Sequence, residues 1–296
     1  MFKHGVYAAL MTPFDAQGEV REDWLREHVE WLVGKRIDGL YICGNTGQAM
    51  ALSVEERTRI AEAVKDQVKG RVSVITHVGA IATRDAKRLV AHANELQLDG
   101  ISSLPPVYPR FSDDEVVQYY RDINAGSRLP CLAYHWAAGN APTLSMSTML
   151  RLLEIEQIVG LKYTAPDFFW MQDLLRRTES TWIAFSGADE LFLPGLTMGT
   201  VGSIGSTQNI FPELFLEIHS LFKAGNWAGA MQKQRLVTRI VALLLEHRTA
   251  FLHTVKHRRG MEQSYCRAPV KAALSKDAEA AVDRELAEIM HAAGLK

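Results

Sequence analysis

The chain alternates between short runs of apolar or β-branched residues and longer amphipathic stretches. In the longer stretches apolar residues recur at i, i+3, i+4 and i+7, as in Trp24, Leu25, Val29 and Leu32, which predicts helices with one buried face. The short runs have the length and composition of strands. They predict eight strands: Val6–Met11, Gly39–Cys43, Val72–His77, Gly100–Leu104, Cys131–Tyr134, Ile158–Lys162, Trp182–Phe185 and Gly202–Gly205.

The regular alternation of strands and helices is typical of βα units and a parallel sheet. Ser53-Val-Glu-Glu56 and Ser112-Asp-Asp-Glu115 match the capping box and mark two helix starts. Arg36-Ile-Asp-Gly-Leu40 and Gln97-Leu-Asp-Gly-Ile101 form a weak repeat that joins a helix end to a strand start. We therefore predict an α/β fold, a (β/α)8 TIM barrel. The alternative is a doubly wound open sheet, which neither a GxGxxG after the first strand nor a P-loop supports.

After the eighth strand the pattern becomes helical throughout. Four helices are predicted there: Phe211–Ala224, Trp227–His247, Phe251–His257 and Asp277–Ala292. No linker rich in Pro, Gly or Ser precedes them. We therefore predict a barrel in residues 1–224 and, in residues 225–296, a C-terminal helical extension that packs on it.

Composition and charge place the protein among ordinary globular proteins. Of its 296 residues 47% are hydrophobic and 23% are charged, and its formal net charge is -1, with 33 basic and 34 acidic residues. This balance predicts neither a nucleic-acid partner nor an anionic membrane partner. The one basic cluster, Lys256-His257-Arg258-Arg259, is interpreted as a solvated helix end or turn; the alternatives are a substrate carboxylate site or an oligomer contact.

The cysteines and the N-terminal segment indicate the compartment. Cys43, Cys131 and Cys266 are far apart, with neither CxxC spacing nor a nearby His pair, so we expect no disulfide framework and no metal site. The N-terminal segment carries no cationic leader with an apolar core, and no apolar run reaches about 18 residues. We expect a cytoplasmic protein with no membrane span.

In a barrel of this type catalytic groups lie at the carboxyl ends of the strands. Lys162 ends the apolar run Ile158-Val-Gly-Leu-Lys162. Burial at the barrel mouth would lower its pKa from about 10.4 and supply the free amine that attacks a ketone. The alternative is a lysine that reaches solvent or pairs with a carboxylate such as Asp189.

Other strand ends carry groups that suit the same chemistry. Tyr134 ends the preceding strand, so its phenol is expected near Lys162, where it could carry a proton to or from an aldol oxygen. Gly44-Asn-Thr-Gly47 is a tight turn in which backbone N–H groups and the Thr46 hydroxyl could hold a carboxylate. Gly187-Ala-Asp-Glu190 and Gly205-Ser-Thr207 are interpreted either as polar loops or as ligand contacts.

These residues, in this order, resemble the dihydrodipicolinate synthase / N-acetylneuraminate lyase family over nearly the whole chain. The resemblance implies a (β/α)8 barrel that acts on a small 2-keto acid. The matching segments are Gly5-Val-Tyr-Ala-Ala-Leu-Met-Thr-Pro-Phe-Asp15, Ile37-Asp-Gly-Leu-Tyr41, Gly44-Asn-Thr-Gly47, His77-Val-Gly79, Pro106-Val-Tyr108, Tyr134, Gly160-Leu-Lys162, Gly187-Ala-Asp-Glu190 and Ile204-Gly-Ser-Thr207.

The resemblance implies a class I aldolase, a pyruvate-dependent carbon–carbon lyase, with no cofactor beyond a covalent Schiff base on Lys162. Tyr134 is then the proton shuttle, and Asn45 and Thr46 clamp the keto-acid carboxylate, which adds Thr46 to the catalytic set. The family also implies a homotetramer. The remaining substrate contacts that it implies are Thr164, Gly187, Asp189, Glu190, Ser206 and, near a neighbouring active site, Tyr108.

Departures from the family pattern leave the substrate open. No arginine follows Tyr134 within a few residues, which disfavours dihydrodipicolinate synthesis, whereas Lys162-Tyr-Thr164 resembles the N-acetylneuraminate lyase branch. Three positions are atypical, namely Asn45, Gln48 at the end of the GxTGE motif, and the segment from Tyr134 that contains His135 and Trp136. We expect cleavage of a 2-keto-3-deoxy sugar acid to pyruvate and an aldehyde. The alternatives are a 2-keto-3-deoxygluconate-type aldolase or dehydratase, a dihydrodipicolinate synthase-like enzyme, and a catalytically silent keto-acid-binding homologue.

Overall fold

The fold is a closed parallel barrel whose strands follow one another in chain order, as predicted. The computed structural model describes residues 3–107, 110–137, 143–179, 181–247, 250–261, 265–270 and 274–295. Each strand pairs with the next, and the last closes on the first, with Val6 opposite Ser203. The strands are β1 Val6–Ala9, β2 Gly39–Ile42, β3 Ser73–His77, β4 Gly100–Ser103, β5 Cys131–Trp136, β6 Ile158–Thr164, β7 Ile183–Ser186 and β8 Gly202–Gly205.

A helix follows each strand, and more helices follow the barrel. Both predicted capping boxes are confirmed: the hydroxyls of Ser53 and Ser112 accept from the N–H groups of Glu56 and Glu115, whose carboxylates accept in return. The helices are α1 Glu22–Gly34, α2 Val54–Val68, α3 Thr83–Glu95, α4 Asp113–Asn124, α5 Met146–Leu152, α6 Phe168–Arg177, α7 Phe192–Thr197, α8 Pro212–Lys223, α9 Trp227–Glu246, α10 Ala250–Arg259 and α11 Lys276–Ala293.

The weak sequence repeat has a structural basis at the bottom of the barrel. Arg36 and Gln97 both adopt positive φ, at 66° and 49°, which turns the chain from a helix into the next strand. Two residues later the carboxylates of Asp38 and Asp99 accept hydrogen bonds from the N–H groups of Val6 and Val74, each at 2.8 Å. Each aspartate therefore ties its own strand to the preceding one.

The apolar core has two layers, one inside the barrel and one between the strands and the helices. Because side chains alternate along a strand, one face of each strand fills the barrel and the other contacts the helices. The interior layer is formed by Tyr7, Ala9, Tyr41, Ile75, Leu132, Phe185 and Ile204.

The C-terminal helices share an apolar cluster with the barrel. Val6 and Met11 of the barrel lie in the same buried cluster as Val237 of α9 and Val282 of α11. α9 packs against both α8 and α11. The division of the chain into residues 1–224 and 225–296 stays a prediction.

The basic cluster at the end of α10 lies against the barrel helices. Arg258 donates to Glu213 at 2.9 Å, and the Arg259 guanidinium lies 4.4 Å from the Trp31 ring centroid. Their side chains are only 12% and 10% exposed. The prediction of a helix end is confirmed, but the prediction that it is solvated is wrong for these arginines, because ion pairing and ring contacts cover them.

β5 and β6 extend two residues beyond their predicted ends. The ladder continues through Tyr134 opposite Lys162 to Trp136 opposite Thr164. The two strands therefore carry the predicted catalytic pair inside regular structure, before the loops begin.

Within the described part of the chain, no helix is long and apolar enough to cross a membrane.

Candidate active site

Lys162 and Tyr134 lie side by side at the mouth of the barrel. They are opposite each other in the β5–β6 ladder, and both are buried, with 4% of each residue exposed. The Lys162 Nζ lies 4.3 Å from the centroid of the Tyr134 ring. The predicted adjacency of the two residues is therefore confirmed.

Burial controls the protonation of Lys162. Loss of hydration lowers its pKa to about 7, and the charge of Asp189 opposes this shift. None of the ion pairs found among the described residues involves Lys162. The alternative interpretation, a lysine paired with Asp189, is therefore wrong. A large part of the lysine is therefore a free amine at neutral pH, which a nucleophile requires.

A second tyrosine completes the surroundings of the amine. The Tyr41 ring centroid lies 4.4 Å from the Lys162 Nζ, and the rings of Tyr41 and Tyr134 are almost perpendicular, at 85°. The Tyr41 hydroxyl donates to Ser102 at 3.2 Å, which holds the ring in place. Two aromatic faces therefore border the nitrogen, and such faces favour a cation there.

Tyr134 is a phenol at neutral pH, since burial raises its pKa to about 12. Trp136, two residues further along β5, lies on the same side of the strand and stacks with Tyr134 at a centroid distance of 6.3 Å and an angle of 18°. His135 points the other way, onto Trp170 of α6 at 4.5 Å. Of the two atypical residues after Tyr134, only Trp136 therefore lies on the side of Tyr134, because strand alternation carries His135 into the outer layer.

Gly187 allows the loop after β7 to approach the lysine. A Cβ at Gly187 would lie 2.0 Å from Thr164 Oγ1 and 3.2 Å from Lys162 Cε. Only a residue without a side chain fits in this space. Three predicted site residues, Lys162, Thr164 and Gly187, are therefore in close proximity.

Asp189 organises the turn after β8. Its Oδ2 accepts four hydrogen bonds, from the N–H groups of Ser206 and Thr207 at 3.1 and 2.9 Å and from their hydroxyls at 3.3 and 3.0 Å. Burial raises the pKa of Asp189, and the hydrogen bonds from Thr207 oppose that shift. Burial also raises the pKa of Glu190, which is only partly covered. The aspartate is thus engaged with the protein, whereas Glu190 faces solvent in part.

The Asn45–Thr46 turn lines one side of a cavity of 520 Å³. A Cβ at Gly47 would lie 2.9 Å from Leu10 O, so the turn packs directly on the chain after β1. A Cβ at Gly44 would lie 2.6 Å from Tyr41, the ring beside Lys162. The cavity is also lined by Met11, Thr12, Gln48, Met50, Ala51, Phe251, Leu252, Tyr265, Cys266, Pro269 and Val270.

The remaining predictions have different outcomes. Tyr108 lies outside the described residues. Among the described residues, no group of three or more His, Cys, Asp or Glu is arranged to hold a metal ion.

Sequence reasoning assigned no role to Tyr41 or Arg267. Tyr41 has a local signal, since it lies three residues before Gly44 on the inward face of β2. Arg267 has none, because its contacts reach Glu56 and Gly18 from more than 200 positions away.

Comparisons with known proteins agree with this architecture. A model of the dihydrodipicolinate synthetase family matches residues 2–289. The chain is 34% identical over 242 residues to the N-acetylneuraminate lyase of Rhizobium meliloti (strain 1021), covering 82% of this chain and 80% of that protein.

Solved structures extend the likeness to the fold. The N-acetylneuraminate lyase from Fusobacterium nucleatum superposes with a TM-score of 0.90 at 29% identity, covering 100% of both chains. CdNal from Clostridium difficile, solved in complex with mannosamine, superposes with a TM-score of 0.91 at 29% identity, covering 98% of this chain and 100% of that one.

Proposed function

Because the chain belongs to the dihydrodipicolinate synthetase family, we propose that it is a class I aldolase that cleaves a 2-keto-3-deoxy sugar acid of the N-acetylneuraminate type. The products are pyruvate and an aldehyde. The observation that carries this proposal is the buried Lys162 amine, whose pKa burial lowers to about 7, beside the Tyr134 phenol. An amine in this state attacks a ketone without needing a strong base.

The first half of the reaction forms the imine. The Lys162 nitrogen adds to C2 of the keto acid, and the resulting carbinolamine loses its hydroxyl as water. Tyr134, protonated because its pKa is about 12, supplies the proton for that water and becomes a phenolate beside the iminium cation. The faces of Tyr41 and Tyr134 border the nitrogen on which the positive charge forms.

The second half breaks the carbon–carbon bond. The phenolate takes the proton of the C4 hydroxyl, the C3–C4 bond breaks, and its electron pair moves into the iminium to give an enamine and the aldehyde. Tyr134 then returns the proton to C3. Water then adds to C2 and gives its proton to the Tyr134 phenolate, and breakdown of the carbinolamine releases pyruvate and the free amine. Both residues return to their starting states, so the cycle consumes no other reactant.

The other predicted residues bind the substrate in this proposal. Asn45 and Thr46 hold the keto-acid carboxylate, and Thr164, Gly187, Glu190 and Ser206 contact the remaining chain of the sugar acid. Asp189 shapes the Ser206–Thr207 turn through Oδ2, and its Oδ1 is buried beside Gly205, so its proposed contribution to substrate binding is to place Ser206. The imine on Lys162 takes the place of a cofactor.

We also infer a cytoplasmic homotetramer, from the same family membership. Light scattering of the purified protein tests the oligomeric state. A monomeric mass would contradict that inference while leaving the chemistry unaffected.

Reductive trapping tests the shared chemical step. Incubation with pyruvate and borohydride should attach a reduced pyruvate adduct to Lys162, located by peptide mass mapping. Lys162→Met should abolish the adduct, whereas Lys35→Met, which removes a surface lysine paired with Glu213, should leave it unchanged. An unmodified Lys162 in the wild-type protein would overturn the proposed function.

A substrate panel separates the candidates within the proposal. N-acetylneuraminate, 2-keto-3-deoxygluconate and related keto acids are incubated with wild-type protein, and pyruvate release is measured against the Lys162→Met blank. The proposal expects the largest kcat/KM for N-acetylneuraminate or a close relative. Trapping without turnover of any keto acid would instead identify a silent keto-acid-binding protein.

A further inference from the structure

Gln48 connects the proposed carboxylate turn to a distant part of the chain. Its Nε2 donates to the carbonyl oxygen of Arg267 at 3.0 Å, and its Oε1 accepts from the N–H of Arg267 at 3.1 Å. The two residues are 219 positions apart. One side-chain amide therefore satisfies both backbone groups of a single residue, as a neighbouring strand would.

The Arg267 side chain is anchored just as firmly. It donates to both carboxylate oxygens of Glu56, at 2.6 and 2.9 Å, and to the carbonyls of Gly18 and Ala51 at 2.8 Å each. The ion pair is well covered, with side-chain exposures of 19% for Arg267 and 13% for Glu56. Bidentate pairing of this kind defines orientation as well as contributing energy. We call these contacts of Gln48, Arg267 and Glu56 the Gln48–Arg267 latch.

The latch places residues 265–270 as a wall of the cavity that the Asn45–Thr46 turn lines. The N–H of Tyr265 donates to Phe14 O at 3.0 Å, so this segment is held at its start as well. Tyr265, Cys266, Pro269 and Val270 line the 520 Å³ cavity together with Asn45 and Thr46. Gln48 belongs to the same turn as these two residues, since its N–H donates to Asn45 O at 3.0 Å.

The chemistry of the contact requires an amide at position 48, where the family motif ends in Glu. A carboxylate could accept from the Arg267 N–H, but its second oxygen would face the Arg267 carbonyl oxygen with no proton between them. Only a protonated glutamic acid could restore that hydrogen bond. Gln48 is therefore matched to residues 265–270, and the departure from the family motif has a structural cause.

We propose that Gln48 is a positioning residue that holds residues 265–270 against the Asn45–Thr46 turn and so sets the affinity for the keto-acid carboxylate. This inference rests on the proposed function. It assigns Gln48 no contact with the reacting atoms. Its loss should therefore raise KM and leave kcat nearly unchanged.

The test compares Gln48→Glu with Gln48→Met, which has similar length and makes neither hydrogen bond. Half-maximal pyruvate concentration for borohydride trapping is measured at about pH 8 and about pH 5.5, always relative to wild type at the same pH so that titration of Lys162 cancels. Both variants should need about tenfold more pyruvate at the higher pH, as expected when a buried carbonyl loses its donor.

At the lower pH the two variants should separate. In Gln48→Glu the introduced carboxyl group becomes protonated, regains a donor and recovers most of the affinity, whereas Gln48→Met does not. The charged or titratable groups around the turn include Asp15, Glu19, Glu56, Lys256, Tyr265, Cys266 and Arg267, of which Arg267 is neutralised by Glu56. None of them changes between the wild type and the two variants.

Each outcome is decisive. The positioning role would be overturned if the half-maximal pyruvate concentration of both variants equalled that of wild type. It would also be overturned if, at low pH, Gln48→Glu still needed as much pyruvate as Gln48→Met. If Gln48→Glu fails to fold, the affinity of Gln48→Met alone decides, with its kcat as the control. Absence of an adduct in the wild-type protein would instead overturn the proposed function itself.

Discussion

The two sides of the barrel mouth are built differently. On the β5–β6 side, Lys162 and Tyr134 lie within a continuous ladder and are almost fully buried. On the β2 side, Asn45 is exposed and Thr46 half-buried, in a turn that side-chain hydrogen bonds join to residues 265–270. Strand pairing holds the first side, and contacts over a long sequence distance hold the second.

This difference separates the chemistry from recognition. A pKa shift of the size found at Lys162 requires dry, fixed surroundings, which the interior of a barrel provides. Recognition of the substrate can be placed on loops, whose composition varies without altering the lysine. Changes on the β5–β6 side should therefore affect kcat and its pH dependence, and changes on the β2 side should affect KM.

The largest effect is expected for Tyr134→Phe, which tests the chemical side directly. The ring and its contact with Lys162 remain, but the proton carrier is lost, so kcat should fall by about 10²–10⁴-fold. Steady-state kinetics with the best substrate measures this. Borohydride trapping should still modify Lys162, but more slowly, because Tyr134 also supplies the proton for imine formation. A kcat equal to that of wild type would contradict the proton-transfer role.

Gly187→Ala should have the next largest effect. The new Cβ would lie 2.0 Å from Thr164 Oγ1, so the loop after β7 must move away from Lys162. Overpacking of this kind should lower the free energy of unfolding by about 1–3 kcal/mol. Urea denaturation and kcat/KM are measured together, with Gly126→Ala as control, since a Cβ at Gly126 meets no atom within 4 Å. Equal stability of the two variants would contradict the close approach.

The pH dependence sharpens the comparison between the two sides. Since only the free amine reacts, kcat/KM should fall as the pH drops through about 7, the pKa of Lys162. Asp189 raises that pKa, so Asp189→Asn should move this acid limb to lower pH. Gln48→Met, on the β2 side, should leave the position of the limb unchanged. If the acid limb moved equally in Asp189→Asn and Gln48→Met, the two sides of the mouth would not differ in their control of Lys162.

The smallest effect is expected far from either side. Ser112→Ala removes the hydroxyl that caps α4, and it should cost about 1 kcal/mol in the free energy of unfolding. Thermal or urea denaturation measures this loss. Because the cap contacts neither side of the mouth, kcat and KM should match those of the wild-type protein, and a changed KM would argue against this separation.

Much of the fold could be predicted because its signals are local. Strand and helix periodicity, the Ser53 and Ser112 capping boxes, and the repeat around Asp38 and Asp99 all act within a few residues. The meeting of Tyr134 with Lys162 also followed, since successive parallel strands in a barrel are neighbours. The predicted strand ends were less accurate, because a strand continues as far as the neighbouring strand supplies hydrogen-bond partners, as β5 and β6 do for each other.

The sequence by itself determined the barrel, the order of its strands and the pairing of Tyr134 with Lys162, since periodicity and chain order are sufficient for these. Only the tertiary structure decided how far burial lowers the pKa of Lys162, that Asp189 organises the Ser206–Thr207 turn, and that Gln48 meets Arg267. Desolvation and contacts across 219 positions depend on how all the elements pack together, and no local pattern records that packing.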